Sequence, residues 1–187
     1  MTEADTRARI DLINRVFNGL ARLPKATIAA MNGSAYGGGL ELALACDFRV
    51  AGEGATFGLP EVGIGILPSS GGTHRLVRLV GAAKAKELVL LGEHVAAADA
   101  AAAGLVTRVA PAGKAVEHAL AIARRIAGQP PLAVAVARQA IDAMAESSRD
   151  AGLLVERLGY GLLAQTEDAR EAATAFTEKR PPRFRGR

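Results

Sequence analysis

A chain of 187 residues, half of them apolar and 22% charged, has enough apolar side chain for a substantial buried core and no low-complexity segment. Its single cysteine, Cys46, excludes an internal disulfide, no run of about 18 apolar residues offers a membrane span, and a net charge of +4 gives no strong pull toward polyanions. The acidic start Met1-Thr2-Glu3-Ala4-Asp5 lacks the basic-then-apolar order of a signal peptide, so a cytoplasmic protein is expected.

Ile10, Ile13, Phe17 and Leu20 recur at helical spacing before Pro24, so the chain opens on an amphipathic helix. The run Thr27-Ile28-Ala29-Ala30-Met31 predicts a strand ended by Asn32-Gly33, and Gly37-Gly38-Gly39 then leads into a helix over 40–45. Cys46, at the end of that apolar helix, reads as a buried structural thiol. Phe48-Arg49-Val50-Ala51 predicts a second strand, 74–91 a helix, 96–103 a short alanine-rich helix stopped by Gly104, and Leu105-Val106-Thr107 a further strand. From Lys114 onward the pattern is helical: 116–127, then 132–144 behind Pro130-Pro131, then a segment bearing Leu154, Val155, Leu158 and Leu162.

The glycine turn before Glu41 is where chemistry is expected. Glycines let another molecule's carbonyl approach the free N–H groups at a helix N-terminus, which favour developing negative charge. A second carboxylate follows in Phe57-Gly58-Leu59-Pro60-Glu61. Each feature also has a plain structural reading: a tight strand-to-helix connection, a first-turn acid that compensates the helix dipole, a solvated loop acid. The glycines fit neither a phosphate-binding loop nor a dinucleotide fingerprint.

Taken together, the block from Thr27 to Asp47, the Phe57–Glu61 stretch, Gly71-Gly72-Thr73-His74-Arg75-Leu76, the Ala-x-x-x-Gly-Leu-Val segment from Ala100 to Val106 and the ending from Phe176 to Phe184 carry a resemblance. The chain resembles the enoyl-CoA hydratase/isomerase family, the crotonases, over essentially its whole length, its ending being most similar to the methylglutaconyl-CoA hydratase branch. The resemblance implies an α/β crotonase spiral of strand-strand-helix repeats over residues 1–128 and a C-terminal helical oligomerisation region over 129–187. It also implies that the sequence lacks the family's N-terminal segment: the opening strands, the loop that grips the adenosine end of CoA, and the turn carrying the other oxyanion donor. An N-terminally truncated spiral is therefore expected.

By the same resemblance the backbone N–H of Gly38 is one oxyanion-hole donor, and Glu41 and Glu61 are the two carboxylates that flank the attacking water. Isomerases of the family usually lose the first acid, and its thioester hydrolases tend to carry Asp at the second, so Glu at both positions implies hydration of a 2-enoyl-CoA. Gly37, Gly38, Pro60 and Ser69 fall at the substrate site, the last within Pro68-Ser69-Ser70-Gly71, where the family more often has Pro-Gly-x-Gly. Phe176 and Lys179 match positions that contact the adenine and phosphate of CoA from a neighbouring protomer. A homotrimer or a dimer of trimers is implied, with acyl-CoA as substrate and no metal or separate cofactor.

The alternative to an active hydro-lyase is a catalytically impaired acyl-CoA-binding or partner-subunit protein of the same fold. The crowding of Lys179, Arg180, Arg183, Arg185 and Arg187 around Phe184 adds RNA binding as a third reading, behind CoA contact and subunit packing. His74, His94 and His118 lie at no metal-ligand spacing, and Ser69 or Ser70 with His74 lacks the Gly-x-Ser-x-Gly elbow of a hydrolase.

Overall fold

Thr2 begins the fold by capping its first helix: its hydroxyl accepts the Asp5 N–H while Asp5 accepts the Thr2 N–H, a reciprocal capping box that starts α1 (Glu3–Ala21). The computed structural model describes residues 2–187. Ile10, Ile13, Phe17 and Leu20 form the half-buried face of α1, as their spacing predicts.

Two successive strand–strand–helix turns follow. The first comprises β1 (Ile28–Met31), β2 (Ala35–Tyr36) and α2 (Gly38–Leu44). The second comprises β3 (Phe48–Gly52), β4 (Thr56–Gly58), a 3-10 turn at Pro60–Ile64 and α3 (Gly72–Leu90). The first strand of each turn enters one sheet and the second strand another, which generates the spiral. β1 and β3 pair in parallel with Ile28 opposite Phe48, and β3 pairs in parallel with β6 (Arg108–Ala110). β2 pairs in parallel with β4, which pairs antiparallel with β5 (Val95–Ala96), ahead of α4 (Ala97–Ala102). Thr27 and Asp47 lock the start of the β1–β3 register: Asp47 Oδ2 accepts the Thr27 N–H at 2.7 Å and its hydroxyl at 2.8 Å. Phe57, Leu40, Leu59, Leu76, Leu105 and Val50 are the largest fully buried side chains of the core these elements enclose.

Two expectations need correction. Leu105-Val106-Thr107 is not a strand; the strand begins at Arg108, while the Leu105 and Val106 N–H groups both donate to the Ala100 carbonyl and turn the chain off α4. The apolar pair was buried by that turn rather than by a ladder. The helix expected over 74–91 starts at Gly72 and is interrupted at Gly81, whose φ of 76° is non-helical. The brief strands β2, β4 and β5 escaped sequence reading because two or three residues are too few to display alternation.

The remainder is helical: α5 (Ala115–Ala127), α6 (Pro131–Met144), α7 (Arg149–Leu163) and α8 (Glu167–Thr177). The chain divides into two units, one of residues 2–23 with Thr27–Ala121, the other of Pro24–Ala26 with Ile122–Arg187. Within the second unit α6 packs on α7, and the arginine-rich tail folds back along α8. Asp168, 2% exposed, accepts the N–H groups of Arg185 at 2.7 Å and Gly186 at 2.8 Å. Glu171 accepts a forked pair of bonds from Arg180 at 2.6 and 3.0 Å and the Arg183 N–H at 2.8 Å.

The bonds from Arg180 and then Arg183 hold the Glu171 carboxyl down from 4.5 to about 2. A carboxylate lowered in the folded state adds stability that is complete above its unfolded value and lost as pH falls through its folded value. The tail is therefore expected to loosen between about pH 4.5 and 2, and Glu171→Gln to loosen it already at neutral pH. Hydrogen exchange of the amides of residues 183–187 measures this; protection unchanged in both tests would mean that Asp168 alone holds the tail.

Candidate active site

Glu41 lies in the first turn of α2 and is 4% exposed, an unusual place for a carboxylate among Leu40, Ala43 and Leu44. It survives burial because its Oε1 accepts two backbone N–H groups, from Ser70 at 2.7 Å and from Gly72 at 3.0 Å. Ser70 lies in the connection between the 3-10 turn and α3, and Gly72 is the first residue of α3. The approach is so close that a Cβ on Gly72 would stand 2.7 Å from Glu41 Cγ and 2.8 Å from Oε1.

Glu61 reaches Gly37, the residue ahead of the same helix. It sits in the first turn of the Pro60–Ile64 segment, which Pro60 starts with its fixed φ. Gly37, the residue ahead of α2, has φ 51° and ψ −129°, and a Cβ there would lie 3.2 Å from Glu61 Oε1. The Gly37 N–H is tied to the Gly58 carbonyl at 3.1 Å, so the β2–β4 pairing sets the turn against which Glu61 rests. Glu61 Oε2 is buried without a hydrogen-bond partner among the described residues. Burial pushes the Glu61 carboxyl above its ordinary range, and the Glu41 charge pushes it the same way, against a hydrogen bond from its own backbone.

Between the two carboxylates α2 presents an uncapped end. No side chain bonds to its first N–H groups, and the first intrahelical bond is from the Glu41 N–H to the Gly37 carbonyl at 2.9 Å. A Cβ at Gly38 would meet nothing within 4 Å, so neither packing nor backbone conformation within the described residues demands glycine there. Immediately after Glu61, Ile64, Ile66 and Leu67 are 77%, 58% and 60% exposed, an apolar surface continuous along the chain.

The structure thus brings Glu41, Glu61, Gly37 and Gly38 to the start of α2, with Pro60 beside Glu61 in the 3-10 turn. Ser69 is exposed and joins only through its carbonyl, which accepts Asn14 Nδ2 at 2.8 Å; the serine that faces Glu41 is Ser70. Pro68-Ser69-Ser70-Gly71 marked the segment, but which residue turns inward depends on the loop's path. Phe176, 87% exposed, and Lys179, with φ 53°, belong to the second unit. Cys46 is half-buried rather than buried, and burial pushes its thiol up. His94 stacks on Tyr36 with ring centroids 4.3 Å apart.

Residues 5–187 match the model of the enoyl-CoA hydratase/isomerase family. The chain belongs to that family. It is 44% identical to the probable mitochondrial enoyl-CoA hydratase 2 of Arabidopsis thaliana over 186 residues, all of this chain and 62% of that protein. It is 46% identical to the 2,3-dehydroadipyl-CoA hydratase of Escherichia coli (strain K12), covering 74% of it. The crystal structure of an enoyl-CoA hydratase from Bacillus anthracis superposes with a TM-score of 0.97 at 41% identity, over all of this chain and 72% of that one. The α/β crotonase fold is therefore that of this chain, which spans 62% of the Arabidopsis relative's length.

Steric fit makes a contrast between the two glycines Gly72 and Gly38 measurable. Gly72→Ala is expected to cost about 1–3 kcal/mol through overpacking. Gly38→Ala should change stability by no more than about 1 kcal/mol, since a helical alanine there has open space. Urea unfolding of both variants tests this; equal stabilities would mean that Glu41 can leave its two donors at little cost.

Proposed function

We propose that this site hydrates a 2-enoyl-CoA thioester. The observation that carries the reading is the pair Glu41 and Glu61 at the open end of α2, one carboxylate held by two backbone donors and the other with a buried oxygen still unpaired. An unpaired buried carboxylate oxygen is an acceptor waiting for a donor, and a water molecule supplies one.

The chemistry follows from those parts. As water attacks C3, one carboxylate takes its proton and the other delivers a proton to Cα, so the pair ends the addition with its protonation states swapped, and one proton passed from the first acid to the second through water restores the starting state. Negative charge moves to the thioester oxygen as the enolate develops. The Gly38 N–H, on the uncapped end of α2, is the donor for that oxygen, a role worth about 3–4 kcal/mol in comparable sites. Absence of a Cβ at Gly38 leaves the approach clear. Glu61, with its raised pKa, suits the partner that carries a proton nearer neutrality. Water and enoyl-CoA balance the reaction, so CoA enters as part of the substrate and no further cofactor is needed.

Replacing Glu41 or Glu61 by Gln keeps the shape and removes proton exchange, so each variant should lose about 10²–10⁴-fold in kcat while binding acyl-CoA with nearly unchanged affinity. Loss of the conjugated-thioester absorbance gives the rate and calorimetry the affinity. Wild-type turnover in either variant would overturn the assignment. A second reading, an acyl-CoA-binding or partner subunit without turnover, draws on the Gly38 N–H being the one oxyanion donor assigned at the start of α2. Wild-type chain that binds an enoyl-CoA and leaves its absorbance unchanged selects that reading.

We extend the proposal to a cytoplasmic homotrimer or dimer of trimers. Along α7, Leu153, Leu154, Leu158 and Leu162 are 53%, 47%, 63% and 64% exposed, an apolar surface that another subunit would cover. No helix among the described residues is long and apolar enough to cross a membrane, and the lone cysteine fits a reducing compartment. Arg180 and Arg187 are engaged by Glu171, Glu178 and Glu167, which favours packing or CoA contact by the tail over nucleic acid. If Phe176 and Lys179 reach a neighbour's CoA, acyl-CoA should strengthen assembly. Light scattering across a dilution series, with and without ligand, tests it: monomer throughout defeats the trimer, and assembly indifferent to a bound acyl-CoA defeats the shared site.

A further inference from the structure

The Ser70 and Gly72 N–H groups reach Glu41 from the junction of an irregular connection with the start of α3, and a junction that aims two donors at one oxygen needs something to hold it. Two side chains do so from outside, one of them braced by a third. Asn14, on α1, donates through Nδ2 to the Ser69 carbonyl at 2.8 Å while also bonding the Ile10 carbonyl at 3.1 Å. Arg75, one turn into α3, donates through Nη1 to the Ser70 carbonyl at 2.8 Å and through Nη2 to Asn18 Oδ1 at 2.7 Å. Asn14 and Asn18 are four residues apart, on one face of α1.

We propose that Asn14 and Arg75 are positioning residues that set the Glu41 carboxylate for proton transfer, Asn14 by fixing a peptide group that binds it and Arg75 by fixing the peptide between its two donors. The Ser69 carbonyl and the Ser70 N–H belong to one trans peptide group, so they point in opposite directions, and Asn14 and Glu41 grip that peptide from its two ends. Arg75 grips the next peptide by its carbonyl, and its planar fork spans loop and helix at once, which an ammonium cannot do in the same geometry. Gly71 fits this arrangement: its φ is 86°, and a Cβ there would collide with the Arg75 guanidinium. Neither side chain touches the reacting atoms. Asn14 acts through the loop; Arg75 acts through the loop and also feels the Glu41 charge, and Arg75→Lys, which keeps the charge but not the fork, separates the two.

The inference rests on the hydratase reading for its kinetic consequence but not for its structural one. Asn14→Ala and Arg75→Gln should each lower kcat about 10–100-fold with KM within about twofold, because a small misplacement of a catalytic group costs rate rather than binding. Arg75→Lys should recover part of the loss. In amide NMR spectra the Ser70 and Gly72 protons, shifted downfield by the carboxylate in the wild-type chain, should move upfield in Asn14→Ala and Arg75→Gln, with melting temperature recorded alongside. Unchanged kcat in both variants, unchanged Ser70 and Gly72 resonances, or loss of turnover only in step with unfolding would overturn the proposal. If the wild-type chain shows no hydration, the proposed reaction fails by itself, and the amide resonances still decide whether Asn14 and Arg75 hold the loop.

Discussion

A carboxylate buried in an apolar core is the constraint from which the rest of the first unit follows. Glu41, 4% exposed, would be costly to bury unless its oxygens were satisfied, and its two donors are backbone groups of a distant loop. Backbone donors leave no choice in the fold: the chain must return from β4 through the 3-10 turn to the flank of α2 before α3 can begin. That return also delivers Glu61 to Gly37, just ahead of the helix. The site is thus a consequence of how one buried charge is solvated by the protein.

At the other end of α2 a second buried charge does complementary work. Arg49, also 4% exposed, donates to the Leu105 carbonyl at 2.7 Å and to the Cys46 carbonyl at 2.6 Å, at the C-terminal end of the helix. Burial pulls its pKa down, while the charges of Cys46 and Asp47 pull it up. A seven-residue helix has little stability of its own, and a cation among its last carbonyls opposes the negative end of its dipole. The C-terminus is therefore closed by the protein and the N-terminus left open, an asymmetry suited to meeting negative charge from outside.

The second unit solves a different problem with similar means. Its tail has no apolar run with which to bury itself, so buried Asp168 and half-buried Glu171 bind its backbone and Arg180 directly. Cations that looked like a free basic surface in the sequence are in part structural. Charge density alone could not tell an engaged arginine from a free one.

Helix positions were legible in the sequence wherever an apolar stripe ran for two turns or more, as in α1, α5 and α6, because that periodicity is local. The glycine turn and the two carboxylates were legible too, since they stand beside elements whose type is fixed by neighbouring residues. Tertiary structure alone decided that β2, β4 and β5 exist, for such short strands are held by their partners and not by their own pattern. It also decided that α3 breaks at Gly81, that the Ser70 N–H bonds Glu41, and that Asn14 and Arg75, the latter bonded to Asn18, hold the carbonyls of Ser69 and Ser70. Those facts join residues up to 57 positions apart, and sequence periodicity records which face of an element is buried, not which distant peptide group meets it.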